Sequence, residues 1–433
     1  MHDGCRVCAP LKRCALIVCL GLLSLAPVPG VANRAIADEG DWRRILRVGP
    51  ERELKLPSEA ALIARDNDVV EIDAGVYRGD VAVWTADNLV LRSAGGRVHL
   101  DAEGQSAGGK ATWVIQGRDT TVEGIEFSGS RVRHHNGAGI RLEGPGLTLR
   151  HCYFHNNQMG ILTGGNAESD ILIEHSEFAR NTVDYAATGR LGHNIYIGNV
   201  RSFTLRFSQV HSATTGHNVK SRARFNRIEY NRIMDERRGG SSYLVDLANG
   251  GFSVILGNVL HQGTGNQNNR MISYAAEGAT NPDQRLFVVH NTMANDDHNG
   301  VFVQNRGTVP AVILNNLFVG EGRVAAGPAV VRSNLLARSS GGEVGRLLFA
   351  DEETRQASTE FGNRWVPDTG LLDQSAFDYR LSEDSPAIDQ AAPVGSAGGI
   401  DLAPTHEYAS PGGVRPRVLH GRPDLGAYEY REP

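Results

Sequence analysis

A strand pattern of six residues, with an apolar residue at each end, recurs nine times along the chain. Successive copies begin 18 to 33 residues apart, and intervals of this size are typical of a solenoid whose coils carry loop insertions of different lengths. The pattern therefore predicts parallel strands that stack coil upon coil around one continuous core. The copies occupy residues 122–127, 149–154, 173–178, 205–210, 228–233, 255–260, 288–293, 313–318 and 331–336.

Two columns of side chains follow from stacking these copies. The last position is apolar in every copy and predicts a core stripe that begins with Phe127, Phe154 and Phe178. The fourth position is Cys152 in the second copy and asparagine in the last five copies, which predicts a ladder of side-chain amides that bond the backbone of the neighbouring coil. The five asparagines are Asn231, Asn258, Asn291, Asn316 and Asn334.

A second strand precedes many of the copies and usually follows Gly or Asn, as at residues 194–197 and 218–221. Strand alternation places Ile195 and Val219 inside the coil and their neighbours outside. The predicted fold class is therefore all-β, a single-stranded right-handed parallel β-helix. Residues 56–64 are expected to form a capping helix at its N-terminal end, and a loop-rich tail follows its C-terminal end.

The first 37 residues have the layout of a secretory signal peptide. Lys12 and Arg13 precede an apolar stretch at residues 15–25, and residues 35–37 form a small-x-small cleavage site. We expect cleavage after Ala37 and a secreted or periplasmic protein that is not held in a membrane. Only Cys152 follows the cleavage site, so no internal disulfide is expected.

These observations divide the chain into three parts. Residues 1–37 are the signal peptide, residues 38–340 the β-helix, and residues 341–433 a loop-rich capping region packed on the helix. The formal net charge is −5 and no large charged block occurs, which excludes a nucleic-acid partner, because phosphate binding needs a concentrated basic face. We expect a monomer.

Two segments carry a resemblance to a known family. Residues 69–77 are similar to the opening strand of pectate-lyase-like β-helix proteins, although Asn67 and Asp68 replace the usual Gly-Asp. Residues 378–382, 385–389 and 424–429 look like the C-terminus common in bacterial extracytoplasmic β-helix proteins. The resemblance implies the fold and leaves the activity open, because this fold carries lyases, hydrolases, epimerases and binding proteins.

A Gly-His-Asn motif occurs twice, at residues 192–194 and 216–218, with one coil between the copies. Stacking predicts that the two motifs share a face with Tyr196 beside Lys220, with Arg222 pointing outward, and with Arg141 two coils earlier. The alternative is a solvated face with turn-forming asparagines. The candidate catalytic residues are Lys220, Arg222, Tyr196, His193 and His217, and the candidate substrate-binding residues are Asn194, Asn218, Arg141 and Asp246.

The chemistry that suits such a face is β-elimination on an acidic polysaccharide that contains uronic acid. A cation must neutralise the sugar carboxylate while a base removes the neighbouring proton. Residues 220–221 resemble the Asn-Lys-Ser segment of β-helix alginate and chondroitin lyases, which implies that Lys220 is the base. The next coil lacks the arginine of that family and instead places Asp246 beside Lys220, where a carboxylate favours the charged ammonium.

Two mechanisms stay open at this point. In one, Lys220 loses its proton in the complex and Arg222 supplies the cation; in the other, Lys220 binds substrate, and Tyr196 or a histidine is the base. Ca²⁺ is a further way to neutralise the uronate, although no spacing defines its site. A non-catalytic glycan-binding protein and a uronan C5-epimerase remain alternatives to the lyase. The possible calcium ligands are Glu143, Asp184 and Asp246.

Overall fold

The computed structural model describes residues 43–237, 239–297, 300–337, 361–410 and 412–432. The signal peptide lies outside the described residues, so its cleavage after Ala37 stays a prediction. Neither described α-helix has the length and apolar character needed to cross a lipid bilayer. The fold is all-β and winds as a right-handed parallel β-helix, which confirms the predicted fold class.

Each coil contributes strands to three parallel stacks. We call the ten-stranded stack the site sheet and the two stacks of the 22-stranded sheet column one and column two. The site sheet contains Ala82–Trp84, Ala111–Ile115, Ala138–Leu142, Met159–Thr163, Ile195–Ile197, His217–Ser221, Tyr243–Leu247, Arg270–Tyr274, Val301–Asn305 and Arg323–Ala326.

Column one begins with the strand Ile45–Val48, and its next two members are long enough to reach into column two. Column one contains Ile45–Val48, Val69–Arg78, Val90–Asp101, Thr120–Glu123, Leu147–Arg150, Asn166–Glu174, Val200–Arg206, Phe225–Glu229, Phe252–Leu256, Leu286–Val289, Ala311–Leu314 and Ala329–Arg332. Column two contains Ile125–Ser128, Tyr153–His155, Glu177–Ala179, Gln209–His211, Arg232–Met234, Val259–Gln262, Thr292–Asn295, Leu317–Gly320, Leu335–Ala337 and Arg364–Val366.

The predicted ladder forms the corner between column one and column two. The side-chain amide of Asn231 donates to Oδ1 of Asn258 at 3.0 Å and to the backbone oxygen of Leu205 at 2.8 Å. The same pattern repeats in each later coil and ends at Asn363, one coil beyond the predicted ladder. The buried amides of this ladder therefore have hydrogen-bond partners, which an apolar interior requires.

The core stripe is equally regular. The rings of Phe127, Phe154 and Phe178 stack with centroids 4.7 Å apart, which is the spacing of neighbouring parallel strands. Side chains of all three stacks meet in one buried cluster that runs the length of the helix. The N-terminal cap is the predicted helix, observed as Pro57–Ile63, and a short second helix, Tyr185–Thr188, lies in a loop.

The C-terminal region adds one more strand to the stack and then packs on the flank of the helix. Parallel pairing of Leu336 with Trp365 shows that the coils continue past residue 340. The tail then runs back along the outside of columns one and two, where Tyr379 packs in one cluster with Met234 and Leu317. The tail comprises a 3₁₀ turn, Gln374–Ala376, and three antiparallel pairs, Leu371–Asp373 with Asp378–Leu381, Ser396–Ala397 with Ile400–Asp401, and His406–Ala409 with Gly413–Pro416.

Candidate functional site

The asparagines of the two Gly-His-Asn motifs lie inside the coil. Asn194 and Asn218 are both 0% exposed. The amide of Asn194 donates to Oδ1 of Asn218 at 2.8 Å, and Asn181 donates to Asn194 at 2.9 Å. They belong to a second ladder, at the corner between column two and the site sheet, that also includes Asn157. The expectation that Asn194 and Asn218 bind substrate does not fit this position, because both amides are buried and already bonded: Asn194 donates to the backbone oxygen of His211, and Asn218 donates to Oδ1 of Asp235.

The glycine of the second motif is required by the same stacking. Gly216 has φ +89°, and a Cβ there would lie 1.8 Å from the backbone oxygen of Gly192. Only glycine allows this conformation and this close approach without strain.

The two histidines form the floor of the face. Nδ1 of His193 accepts the backbone N–H of His217 at 2.9 Å, and Nδ1 of His217 accepts that of Tyr243 at 3.2 Å. In a neutral ring the proton therefore lies on Nε2, and Nε2 of His217 is 3.5 Å from Oδ2 of Asp246. Both rings are about 95% buried.

Burial also sets the charge of these histidines. Desolvation, with the nearby Lys220 ammonium, lowers the pKa of His193 to about 3. Desolvation, with His193 and Lys220, lowers the pKa of His217 well below its usual value. Both rings are therefore neutral at physiological pH and have no free lone pair, so neither fits the predicted role of catalytic base.

Outward-facing charged residues of the site sheet come together above this floor. The backbone register pairs Tyr196 with Lys220 and Lys220 with Asp246, as the repeat predicts. Nζ of Lys220 donates to Oδ2 of Asp246 at 2.9 Å and also to Oε1 of Glu277. We call Tyr196, Lys220, Arg222, Asp246 and Glu277 the Lys220 cluster.

Arg222 joins the two sides of the Lys220 cluster. Its Nε donates to the hydroxyl of Tyr196 at 3.0 Å, one terminal nitrogen donates to Asn249 at 2.7 Å, and the other donates to Glu277. The Glu277 carboxylate thus bridges the ammonium of Lys220 and the guanidinium of Arg222. Its side chain is 45% exposed, whereas that of Lys220 is only 8% exposed.

The charges of the Lys220 cluster follow from these contacts. Burial opposes the ammonium of Lys220, but Asp246 and Glu277 outweigh it, so the pKa of Lys220 is raised. Burial likewise opposes the Glu277 carboxylate, but hydrogen bonds from Lys220 and Arg222 lower its pKa. Lys220 is therefore a cation in the free protein, as the position of Asp246 predicts.

Arg141 lies further along the same face. The register runs from Arg141 through Leu162 to Tyr196 and Lys220, so Arg141 is two coils from Tyr196, as predicted, and about 14 Å from Lys220 at the usual strand spacing. It lines a depression of about 660 Å³ in which Lys110 pairs with Glu143. The other basic residues of the depression are Arg131, Arg133 and His134.

The three possible calcium ligands do not converge. Glu143 accepts hydrogen bonds from Lys110 and Gln116, and Asp246 pairs with Lys220. Asp184 accepts the backbone N–H of Ala187 as the N-cap of the short helix. Ca²⁺ needs six to eight converging oxygens, and within the described residues these carboxylates do not supply such a set.

Sequence reasoning missed two members of this face. Glu277 follows the strand Arg270–Tyr274 in a loop, and Asn249 follows Tyr243–Leu247 in a tight turn. Loop residues have no place in the repeat, so its phase does not predict where they point. The only available signal is their position just after strands whose outward face already carries charge.

Comparisons with known proteins agree with the fold. A family model described as "Right handed beta helix region" matches residues 113–269. Pectate lyase Pel9A is similar over 90% of this chain and 98% of its own, with 15% identity and a TM-score of 0.50. No curated protein matches the chain significantly in sequence. The fold is therefore that of pectate-lyase-like right-handed parallel β-helices.

More remote similarities also occur among solved structures. An alginate lyase from Paenibacillus sp. str. FPU-7 covers 64% of this chain and 95% of its own, with 14% identity and a TM-score of 0.38. The PL6 family polysaccharide lyase Pedsa3628 from Pseudopedobacter saltans covers 80% and 98%, with 12% identity and a TM-score of 0.40. These two similarities are too weak to bear on activity.

Proposed function

We propose that the protein is an exported polysaccharide lyase that cleaves an acidic, uronic-acid-containing polymer by β-elimination at the Lys220 cluster. The observation that carries this proposal is the Glu277 carboxylate, which two cations hold on an accessible face. A sugar carboxylate has the same geometry and charge as the end of Glu277. It can displace the Glu277 side chain and accept the hydrogen bonds of Lys220 and Arg222 in its place.

Binding in this position prepares the sugar for proton loss. Lys220 and Arg222 neutralise the uronate, which stabilises the negative charge that develops when the neighbouring carbon loses its proton. Because Lys220 stays charged beside Asp246, it acts as a binding group in this mechanism. The structure therefore supports the second of the two mechanisms left open by the sequence.

Tyr196 is the base in this mechanism. The Arg222 guanidinium that would bind the sugar carboxylate also donates a hydrogen bond to the Tyr196 oxygen. This hydrogen bond stabilises negative charge on the Tyr196 oxygen. Tyr196 acts as the phenolate. Its oxygen takes the proton beside the carboxylate, the electrons of that carbon–hydrogen bond form the new double bond, and the glycosidic carbon–oxygen bond breaks with its electron pair on the leaving oxygen. The same phenol then returns the proton to the leaving oxygen.

The wider face fits a polymer. The basic depression at Arg141 offers a second cationic position about 14 Å from Lys220, and a long anionic chain can contact both. In this proposal the protein acts as a monomer outside the cytoplasm.

Lys220 and Arg222 supply the positive charge that neutralises the uronate. We therefore expect a chelator of divalent cations to leave the activity unchanged, measured with and without added Ca²⁺. If the chelator abolishes the activity and added Ca²⁺ restores it, calcium neutralises the uronate carboxylate.

The deciding experiment incubates the protein with a panel of uronate polymers and follows ultraviolet absorbance from the unsaturated product. A lyase gives rising absorbance with at least one polymer and shorter chains. If no polymer gives this absorbance, the lyase proposal is wrong. Altered uronate composition without cleavage would identify a C5-epimerase, and binding without either change would identify a glycan-binding protein.

A further inference from the structure

Three potential metal ligands lie outside the site sheet, on successive coils of the 22-stranded sheet. His99, Glu126 and His155 come from the strands Val90–Asp101, Ile125–Ser128 and Tyr153–His155. Glu126 pairs in register with His99 on one side, and His155 lies one coil further on the other. We call these residues the His-Glu-His cluster. It shares no residue with the Lys220 cluster.

The donor atoms of the His-Glu-His cluster all point to one place. Oε1 of Glu126 is 2.8 Å from Nε2 of His155 and 3.7 Å from Nε2 of His99, and the three atoms lie within 4.8 Å of one another. A tetrahedral zinc ion with bonds of 2.0–2.1 Å separates its ligand atoms by about 3.4 Å. The observed separations bracket this value, so small side-chain rotations suffice to bind an ion.

The surroundings hold the ligands in place. The three side chains are 13–25% exposed, so they are ordered by packing yet reachable from solvent. The ring of Tyr153 stacks on His155 at 4.4 Å. The side-chain NH2 of Asn156 donates to Nδ1 of His155 at 2.9 Å. A half-turn of this amide presents its oxygen to the Nδ1–H of a metal-bound imidazole, which is the usual second-shell arrangement.

Two contacts oppose a bound cation and set limits on it. A terminal nitrogen of Arg97 lies 3.4 Å from Oε2 of Glu126, the carboxylate oxygen that does not face the histidines. The Arg97 side chain is 58% exposed, so it can turn toward solvent. Nε2 of His99 also lies 2.8 Å from the hydroxyl of Ser128. An ion would displace this hydrogen bond.

We propose that His99, Glu126 and His155 form a binding site for a divalent transition metal, of which Zn²⁺ is the best fit. Two imidazoles and one carboxylate are ligands that Zn²⁺ prefers over Ca²⁺ or Mg²⁺. Since each ligand comes from a different coil, the ion ties three coils together near the N-terminal end. The fourth coordination position is left for water or an external ligand.

A neighbouring pair provides a matched control. His211 and Glu177 stand in the same two positions of later coils, with Nε2 and Oε1 3.1 Å apart. Within the described residues no third ligand completes a metal-binding group at this pair. His211→Ala therefore removes an equivalent histidine–carboxylate contact without touching the proposed site.

The test is titration of the untagged, metal-free protein with Zn²⁺, followed by calorimetry and by thermal unfolding. We expect one Zn²⁺ per chain at this site and a higher unfolding temperature with the ion. His155→Ala and Glu126→Gln should weaken Zn²⁺ binding at least about 100-fold, because loss of even a second-shell partner costs up to that factor. His211→Ala should bind as the parent does.

Co²⁺ gives an independent readout of the ligands. Tetrahedral Co²⁺ with nitrogen and oxygen ligands absorbs in the visible region without the near-ultraviolet charge-transfer band of a thiolate, which separates this site from cysteine binding elsewhere in the chain. Zn²⁺ binding that survives Glu126→Gln, or no binding by the parent, would overturn the proposal. Circular dichroism of each variant before titration establishes that the coils are intact.

Discussion

Lys220 sits between two carboxylates, and this changes what a lysine can do at such a face. Desolvation opposes its charge, but Asp246 and Glu277 raise its pKa above the ordinary value. A base must give up its proton before it can accept another, and each neighbouring carboxylate makes that step harder. The same contacts leave Lys220 well suited to hold an anion.

Replacement of Tyr196 by phenylalanine tests the proposed base. Tyr196→Phe keeps the ring that packs against His193 and removes the oxygen bonded to Arg222. We expect kcat to fall about 10²–10⁴-fold, the usual contribution of general base catalysis, with little change in KM. Tyr153→Phe, on the outer face of column two, is the control and should retain full activity. A fully active Tyr196→Phe variant would return the role of base to Lys220.

Removal of the charge on Glu277 tests whether this side chain occupies the carboxylate position. Glu277→Gln keeps the length of the side chain but weakens its hold on Lys220 and Arg222. We expect KM to fall roughly fivefold, the factor that corresponds to about 1 kcal/mol for a partly exposed ion pair. Asp283→Asn breaks a neighbouring exposed ion pair with Arg285 and should leave KM unchanged. A higher KM in Glu277→Gln would mean that Glu277 helps to bind substrate.

The site was only partly predictable at the scale of residues. The repeat places Tyr196, Lys220 and Asp246 side by side, because strand alternation and coil phase determine which side chains are neighbours. The sequence suggests catalytic histidines, whereas in the structure Nδ1 of His193 and of His217 each accepts a backbone N–H from the next coil, a structural role that an asparagine amide can also fill. The sequence does not distinguish that use of His217 from catalysis.

The asparagine ladder is the element that holds the coils in phase. Each internal amide bonds the next asparagine and the backbone of the preceding coil, as Asn258 does with Asn291 and Ile228. The part of this ladder from Asn231 to Asn334 was predictable from five asparagines at one position of the repeat. Its extension to Asn363 was not, because Glu360 stands where the repeated pattern has an apolar residue.

Truncation of one ladder residue should be costly. Asn258→Ala leaves the backbone N–H of Asn231 and the carbonyl of Ile228 buried without their partners. Each unsatisfied group costs about 1–3 kcal/mol, so we expect the free energy of unfolding to fall by roughly 3 kcal/mol or more in urea denaturation. Arg201→Ala removes an exposed ion pair with Asp170 and should change it by less than about 1 kcal/mol. Equal effects of the two changes would contradict the ladder's role.

At the scale of the whole molecule, acid should weaken the fold through buried histidines. Desolvation lowers the pKa of His193 to about 3 and holds the pKa values of His217 and His290 well below 6.5. The unfolded chain binds protons below about pH 6.5 and the folded chain does not. Stability therefore falls as pH falls from 6.5, by up to about 1.4 kcal/mol per pH unit for each histidine.

Urea denaturation at pH 7 and pH 5 measures this dependence, above the range in which most carboxylates titrate. His193→Gln removes one titrating group and should flatten the slope relative to the parent. His134→Gln, at the exposed basic depression, should leave the slope as it is. A parent protein equally stable at pH 5 and pH 7 would show that these histidines are protonated in the folded state.

The tail that runs along the outside of the helix has a consequence for how the chain is made. It covers an apolar strip formed by residues such as Val254, Val259 and Leu317. The residues that cover this strip, including Tyr379, Leu402 and Leu425, follow the coils in the chain and are synthesised after them. Until they emerge, several complete coils present bare hydrocarbon to water. Synthesis of the tail therefore removes this apolar strip from water, and a chain stopped near residue 366 would have wound coils with an aggregation-prone flank.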